Sequence, residues 1–242
     1  MSRYQIPILL LPKQTGVVFD NATSSGFQTS ASSYSFSHRV GTGGTNLCLI
    51  VAVKLLGTGT VSSITYNSVG LSFVRSDAQG VYRTEIWRLV APATGTNTVA
   101  VTLSGVTNSN ADAESYTGVD QTSPIDANNG SNGTGATASA SVTTLTTQDR
   151  VVGALSAATI TTVTNTGGQS SRVLASGATG SSATADKGLI DTPASTTLSW
   201  TGLGVTDAWA VSLAALKPVQ PVAPSVLLKD IIGCGGMVAW AR

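Results

Sequence analysis

The 242-residue sequence predicts an all-β protein: an antiparallel β-sandwich or jelly roll with an extended arm at each end. Three observations carry that expectation. Apolar residues recur with a period of two or in short continuous runs, and hardly anywhere at helical spacing. Ser, Thr and Gly number 30, 34 and 26, and the Thr- and Val-rich stretches among them suit a pleated surface. Turn residues interrupt the chain at short intervals, leaving no room for the helical crossovers that a parallel sheet requires.

The elements follow in order. Residues 1–13 form an N-terminal arm whose apolar side chains are Ile6, Ile8, Leu9, Leu10 and Leu11, interrupted by Pro7. That run is short for a secretory signal, and Pro12 and Lys13 follow it instead of a small-residue cleavage site, so no signal peptide is expected. The sandwich domain is expected over 14–217. In its first strand, 34–40, Tyr34, Phe36, His38 and Val40 alternate with Ser33, Ser35, Ser37 and Arg39, the pattern of a half-buried strand. Residues 47–56 are nearly all apolar and predict a central strand covered on both faces. Further strands are expected at 61–66, 71–77, 83–90, 98–103 and 111–117. A second set is expected at 139–145, 150–158, 170–175, 184–190, 196–200 and 208–216. Residues 128–138 lack any large side chain and read as a mobile surface loop or crossover. Pro218, Pro221 and Pro224 then mark a semi-rigid connector. The C-terminal arm, 218–242, places Leu227, Leu228, Ile231 and Ile232 on one face of a short helix, with Met237 and Trp240 beyond it.

Charge and motifs exclude several functions. The formal net charge is +1 with 10% charged residues, too sparse for a protein that neutralises phosphates, so no nucleic-acid partner is expected. No apolar run approaches the roughly 18 residues of a membrane-spanning helix, and no membrane partner is expected. A single histidine rules out a metal site built on several imidazoles within one subunit, and no cofactor is expected. His38 reads as a half-exposed strand residue. Glu85 and Glu114 are the only glutamates, with Arg83 and Arg88 as partners for Glu85, and the chain is read as non-enzymatic. Asp120 and Asp126 could ligate calcium in a loop, although local turn bonding is the preferred reading. Cys48 reads as a small buried hydrophobe and Cys234 as a second free thiol, which fits synthesis in a reducing cytoplasm. Trp87, Trp200 and Trp209 are expected between sheets. One of them in an exposed row with Tyr66 or Tyr82 would instead stack on a sugar ring. Trp240, among apolar neighbours in the arm, marks a contact with another chain.

Four stretches together resemble a known module: Ser37-His-Arg-Val-Gly-Thr-Gly-Gly-Thr-Asn-Leu, Val61-Ser-Ser-Ile-Thr-Tyr-Asn-Ser-Val-Gly-Leu, Arg83-Thr-Glu-Ile-Trp-Arg-Leu-Val-Ala-Pro and Ser115-Tyr-Thr-Gly-Val-Asp-Gln-Thr-Ser-Pro-Ile. They are similar to a β-sandwich module of tailed-bacteriophage structural proteins and bacterial surface proteins. The likeness covers about 34–216 and is strongest over 37–126. Its motifs mark turns and buried strands, and no catalytic residue is carried over. The resemblance implies a virion component assembled in the host cytoplasm, either a capsid decoration or a tail or fibre part. Its partners would be the major capsid or tail protein and further copies of itself, a homotrimer being favoured, with a host glycan as a further ligand. The arms fall outside the resemblance. Their apolar side chains, docked on a neighbour, would contribute at about 25 cal/mol per Å² buried, which suits a clamp.

Overall fold

The computed structural model describes residues 16–177 and 179–220. All regular structure among them is β, in antiparallel sheets. The first half contributes β1 (Val18–Val40), β2 (Cys48–Leu56), β3 (Val61–Tyr66), β4 (Val69–Gly70), β5 (Ser72–Gln79), β6 (Tyr82–Val90) and β7 (Gly95–Thr117). These form one seven-stranded sheet ordered β4-β3-β7-β2-β6-β5, with β1 along β7. β2 is buried at every position, as the continuous apolar run predicts.

β1 and β7 are each 23 residues long and pair along their whole length, Val18 opposite Thr117 and Val40 opposite Gly95. The register breaks between Ser24 and Ser33, and such irregularities let a ribbon bend. One half of β7 carries β3 and the other carries β2. Bending brings the two halves face to face around a single apolar core: Leu49, Val51, Val53 and Leu55 against Ile64, Tyr66, Val99, Val101 and Leu103. The sheet is thereby a sandwich with itself. The expected strand 34–40 is only the last part of β1, and the expected strands 98–103 and 111–117 are both parts of β7. The Ser, Asn and Gly residues taken for turns lie instead inside the long ribbon, where backbone pairing with the opposite strand outweighs their turn preference.

The second half contributes β8 (Ile125–Thr134), β9 (Thr137–Thr143), β10 (Asp149–Ala157), β11 (Thr164–Thr166), β12 (Ser170–Gly177), β13 (Gly180–Ile190), β14 (Ser195–Thr201) and β15 (Ala208–Leu216). A five-stranded sheet, β12-β13-β10-β15-β8, faces a three-stranded one, β11-β14-β9. Val151, Leu155, Leu198, Trp200, Trp209, Val211 and Leu213 fill the space between them. The opposite face of the five-stranded sheet meets the outer face of β2, β6 and β7, where Cys48, Ile50, Ile86 and Tyr116 lie against Val152, Ala214 and Leu216. Two sandwiches therefore stand back to back, each with its own core.

The expected loop at 128–138 is a correction: it holds the strand β8, paired with β15 from Leu216 to Ala208, and the start of β9. Small residues are there because β5 packs over them. A Cβ at Gly130 would meet the Asp77 carboxyl at 2.0 Å. Gly130→Ala should therefore lower stability by about 1–3 kcal/mol, the usual cost of overpacking. Urea denaturation reads this directly, and an unchanged midpoint would refute the close approach.

Candidate functional site

The alternation that aims odd residues of β2 into the first core aims Lys54 the other way, toward the second sandwich. Even residues of β7 do the same through the register Ile50↔Glu114, Ala52↔Asp112 and Lys54↔Asn110. From the far side, β10, β13 and β15 present Arg150, Ser156, Ser182, Asp186 and Ser212. The result is a buried polar seam between two apolar cores. Its hydrogen bonds cross from one sandwich to the other: Thr84 Oγ1 to Ser212 Oγ at 2.6 Å, Ser212 Oγ to Asp77 Oδ2 at 2.7 Å, and Ser182 Oγ to Asn110 Oδ1 at 3.3 Å. Arg150 Nε donates to Val17 O at 2.9 Å, and Ser156 Oγ to Leu55 O at 3.3 Å.

At the centre stands Asp186, fully buried and gripped by two guanidinium groups. Arg172 donates to both its oxygens, at 2.6 and 2.9 Å, and Arg150 Nη1 donates at 2.7 Å. The Arg172 guanidinium lies over the Phe19 ring, 3.5 Å from its centroid, which joins the charge to an aromatic face. Tyr116 Oη reaches Glu114 Oε2 at 2.6 Å and Asp186 Oδ2 at 3.1 Å. One phenolic proton cannot serve two carboxylates. Burial, reinforced by Asp112 and Asp186, raises the Glu114 carboxyl to about 7, so a proton on Glu114 completes the network. Burial also lifts the Tyr116 hydroxyl well above its ordinary range. Lys54 pairs with Asp112, both completely buried, and burial pulls its ammonium below the usual lysine value.

The sequence-predicted residues fall elsewhere. His38 is buried, not half-exposed: the bend of β1 turns it into the first sandwich beside Tyr66, their rings 6.3 Å apart. Its Nδ1 lies 3.1 Å from Thr23 Oγ1, and burial lowers its pKa to about 4. Glu85 also turns inward. It accepts from Val61 N and Trp87 Nε1, at 3.3 and 3.2 Å, in place of the expected pairing with Arg83 or Arg88. Asp120 makes the local turn, accepting from Thr122 N and Ser123 N at 2.8 and 2.9 Å. Asp126 instead accepts from the backbone N–H groups of Leu145 and Thr146, in the connection between β9 and β10. No group of three or more metal-ligating side chains exists among the described residues. Trp200 and Trp209 sit in the second core and Trp87 against the first, while Tyr66 is buried and offers no face to a sugar. Cys48 is a buried free thiol that burial raises to about 12. The arm residues Ile6, Ile8, Leu9, Leu10, Leu11, Leu227, Leu228, Ile231, Ile232, Met237 and Trp240, with Cys234, lie outside the described residues.

One groove of about 300 Å³ opens on the outer face, between the β3–β4 turn and the start of β7, and hydroxyl and amide side chains line it, among them Thr65, Asn67, Thr96 and Asn97. The seam was missed in the sequence. Its signal was Lys54, the one charge within the apolar run 47–56, which a single strand cannot bury without a partner.

Fold and seam together define an all-β protein of two sandwiches joined by buried hydrogen bonds, with ion pairs buried on each side of the seam. Family models, curated proteins and solved structures give no match to this chain.

Proposed function

We propose that the chain is a non-enzymatic structural protein of a virion: a capsid decoration or cement protein that clamps adjacent subunits through its terminal arms. One observation supports this above others. Val18, at the start of β1, pairs with Thr117, and Val219 N donates to Gly118 O at 2.9 Å. The first and last strands of the described body thus end beside each other, which suits a body held through neighbouring attachments. The outward residues fit such a position, since Ser35, Ser37, Thr96, Thr98 and Thr102 offer an uncharged hydroxyl exterior. The partners are the major capsid or tail protein and further copies of the chain, as a homotrimer. The polar groove favours a second reading, a tail or fibre accessory that adheres to host glycan through hydroxyl and amide groups.

Truncation after residue 220 tests the clamp. The shortened chain should keep the melting profile of the full protein, sediment as a monomer, and fail to join particles that the full chain decorates. Incorporation equal to that of the full chain would overturn the proposal, and glycan-array binding by a chain that decorates nothing would favour the adhesion reading.

A further inference from the structure

The Lys54–Asp112 pair has a geometry that an ordinary ion pair does not need. Both side chains are completely buried, on neighbouring strands, in the seam between two cores. The Lys54 nitrogen meets Asp112 Oδ2 and donates to Ala52 O at 3.3 Å. Among the described residues, Asp112 Oδ1 and Glu114 Oε1 are buried polar atoms without a partner. Glu114 lies two residues beyond Asp112 on the same face of β7, two cross-strand pairs further along the sheet. An ammonium and a carboxylate withdrawn this far from water cost more than they return unless every polar atom is satisfied. Here two oxygens are not.

We propose that Lys54 and Asp112 condense into an intramolecular isopeptide bond that cross-links β2 to β7, with Glu114 exchanging protons with the reacting pair. Proton transfer within the dry pair gives an amine and a carboxylic acid. The Lys54 nitrogen attacks Cγ of Asp112 and forms the Nζ–Cγ bond. Glu114 gives its proton to the departing Oδ2 and takes one back from Nζ, the Cγ–Oδ2 bond breaks, and water leaves. Of the three ammonium protons, one stays on the amide nitrogen, one departs in the water and one replaces the proton that Glu114 gave. No oxidant or other reactant is needed. The fold holds nucleophile and electrophile together, which replaces a bimolecular encounter with an intramolecular one. The product carries no charge, so the desolvation cost that opposes the ion pair disappears. The direction of the ionisation shifts agrees with this chemistry: burial favours the amine of Lys54, which is the nucleophilic form, and keeps Glu114 able to carry a proton near neutral pH. Neither group is used by the proposed clamp, so the bond stands or falls apart from that reading.

Intact mass spectrometry of the folded, full-length protein decides it. The wild-type chain should be lighter than its sequence by one water. Tryptic digestion should yield a branched species joining residues 40–75 to residues 89–150, uncut after Lys54. Lys54→Met and Asp112→Ala should restore the full sequence mass and the separate peptides. Glu114→Gln, with an unchanged circular-dichroism spectrum, should leave most of the chain uncross-linked. A folded wild-type chain at full sequence mass overturns the bond. So does a water loss that persists in Lys54→Met, which would place the dehydration elsewhere. Complete cross-linking in Glu114→Gln overturns the role given to Glu114.

Discussion

Asp186→Ala should unfold the protein in two steps where the wild type unfolds in one. The substitution leaves Arg150 and Arg172 in the seam without the carboxylate that both of them hold, at 2.7 and 2.6 Å. It also removes the second acceptor of Tyr116. Breaking a buried pair by deleting one partner costs about 3–5 kcal/mol, because the remaining charge stays desolvated. Both guanidinium groups keep some contact with water, with side-chain exposures of 13% and 17%, which places the cost toward the lower end. Both pairs lie within the five-stranded sheet, and three contacts reach the first sandwich from them: Tyr116 to Asp186, Arg150 to Val17 O and Arg172 over the Phe19 ring. Each sandwich keeps its own core, around Leu49–Leu55 on one side and Leu155, Leu198, Trp200 and Leu213 on the other. The substitution strips the five-stranded sheet of two ion pairs and removes its direct bond to Tyr116 of the first sandwich, so tryptophan fluorescence and far-ultraviolet circular dichroism should give separate urea midpoints. Coincident transitions at the wild-type midpoint would mean that the seam contributes little to holding the two sandwiches together.

The cores were legible in the sequence and the seam was not, for a physical reason. The apolar pattern reports which residues leave water, and the continuous run 47–56 marks a strand buried on both faces. It does not report what a second face meets. Ser156, Ser182 and Ser212 sit at positions that in an isolated sheet would face solvent, and only the packing of one sandwich on another turns them into buried hydrogen-bonding groups. Aspartate behaves the same way: Asp120 holds a local turn readable from its neighbours, whereas Asp186 is defined by Arg150 and Arg172, 36 and 14 residues away. The same limit explains β8. Its Asn and Gly residues look like a loop until β5 and β15 close over them.

His38 should cost the protein stability in acid. Burial lowers its pKa from 6.5 to about 4, while the nearby Asp20 carboxylate works in the opposite direction. The folded protein therefore keeps the imidazole neutral where the unfolded chain binds a proton. With the folded value below the unfolded one, stability from this group is complete above pH 6.5 and is lost as pH falls toward 4. A displacement of that size corresponds to about 3 kcal/mol. Glu114 and Asp149 act with the opposite sign. Burial raises both carboxyls to about 7, so their contribution is complete in acid and declines as pH rises toward that value. Over pH 4.5–6.5 the single histidine opposes two carboxyls, so the wild-type stability should decline gently as pH rises there. His38→Leu removes one side of that balance. Its stability should fall steadily as pH rises through the window, and the wild-type-minus-variant difference should grow by about 3 kcal/mol from pH 4 to pH 6.5. Urea midpoints taken at half-unit pH steps measure it. A difference that does not change with pH would show that the imidazole titrates alike in both states, and that the bend in β1 leaves His38 open to water.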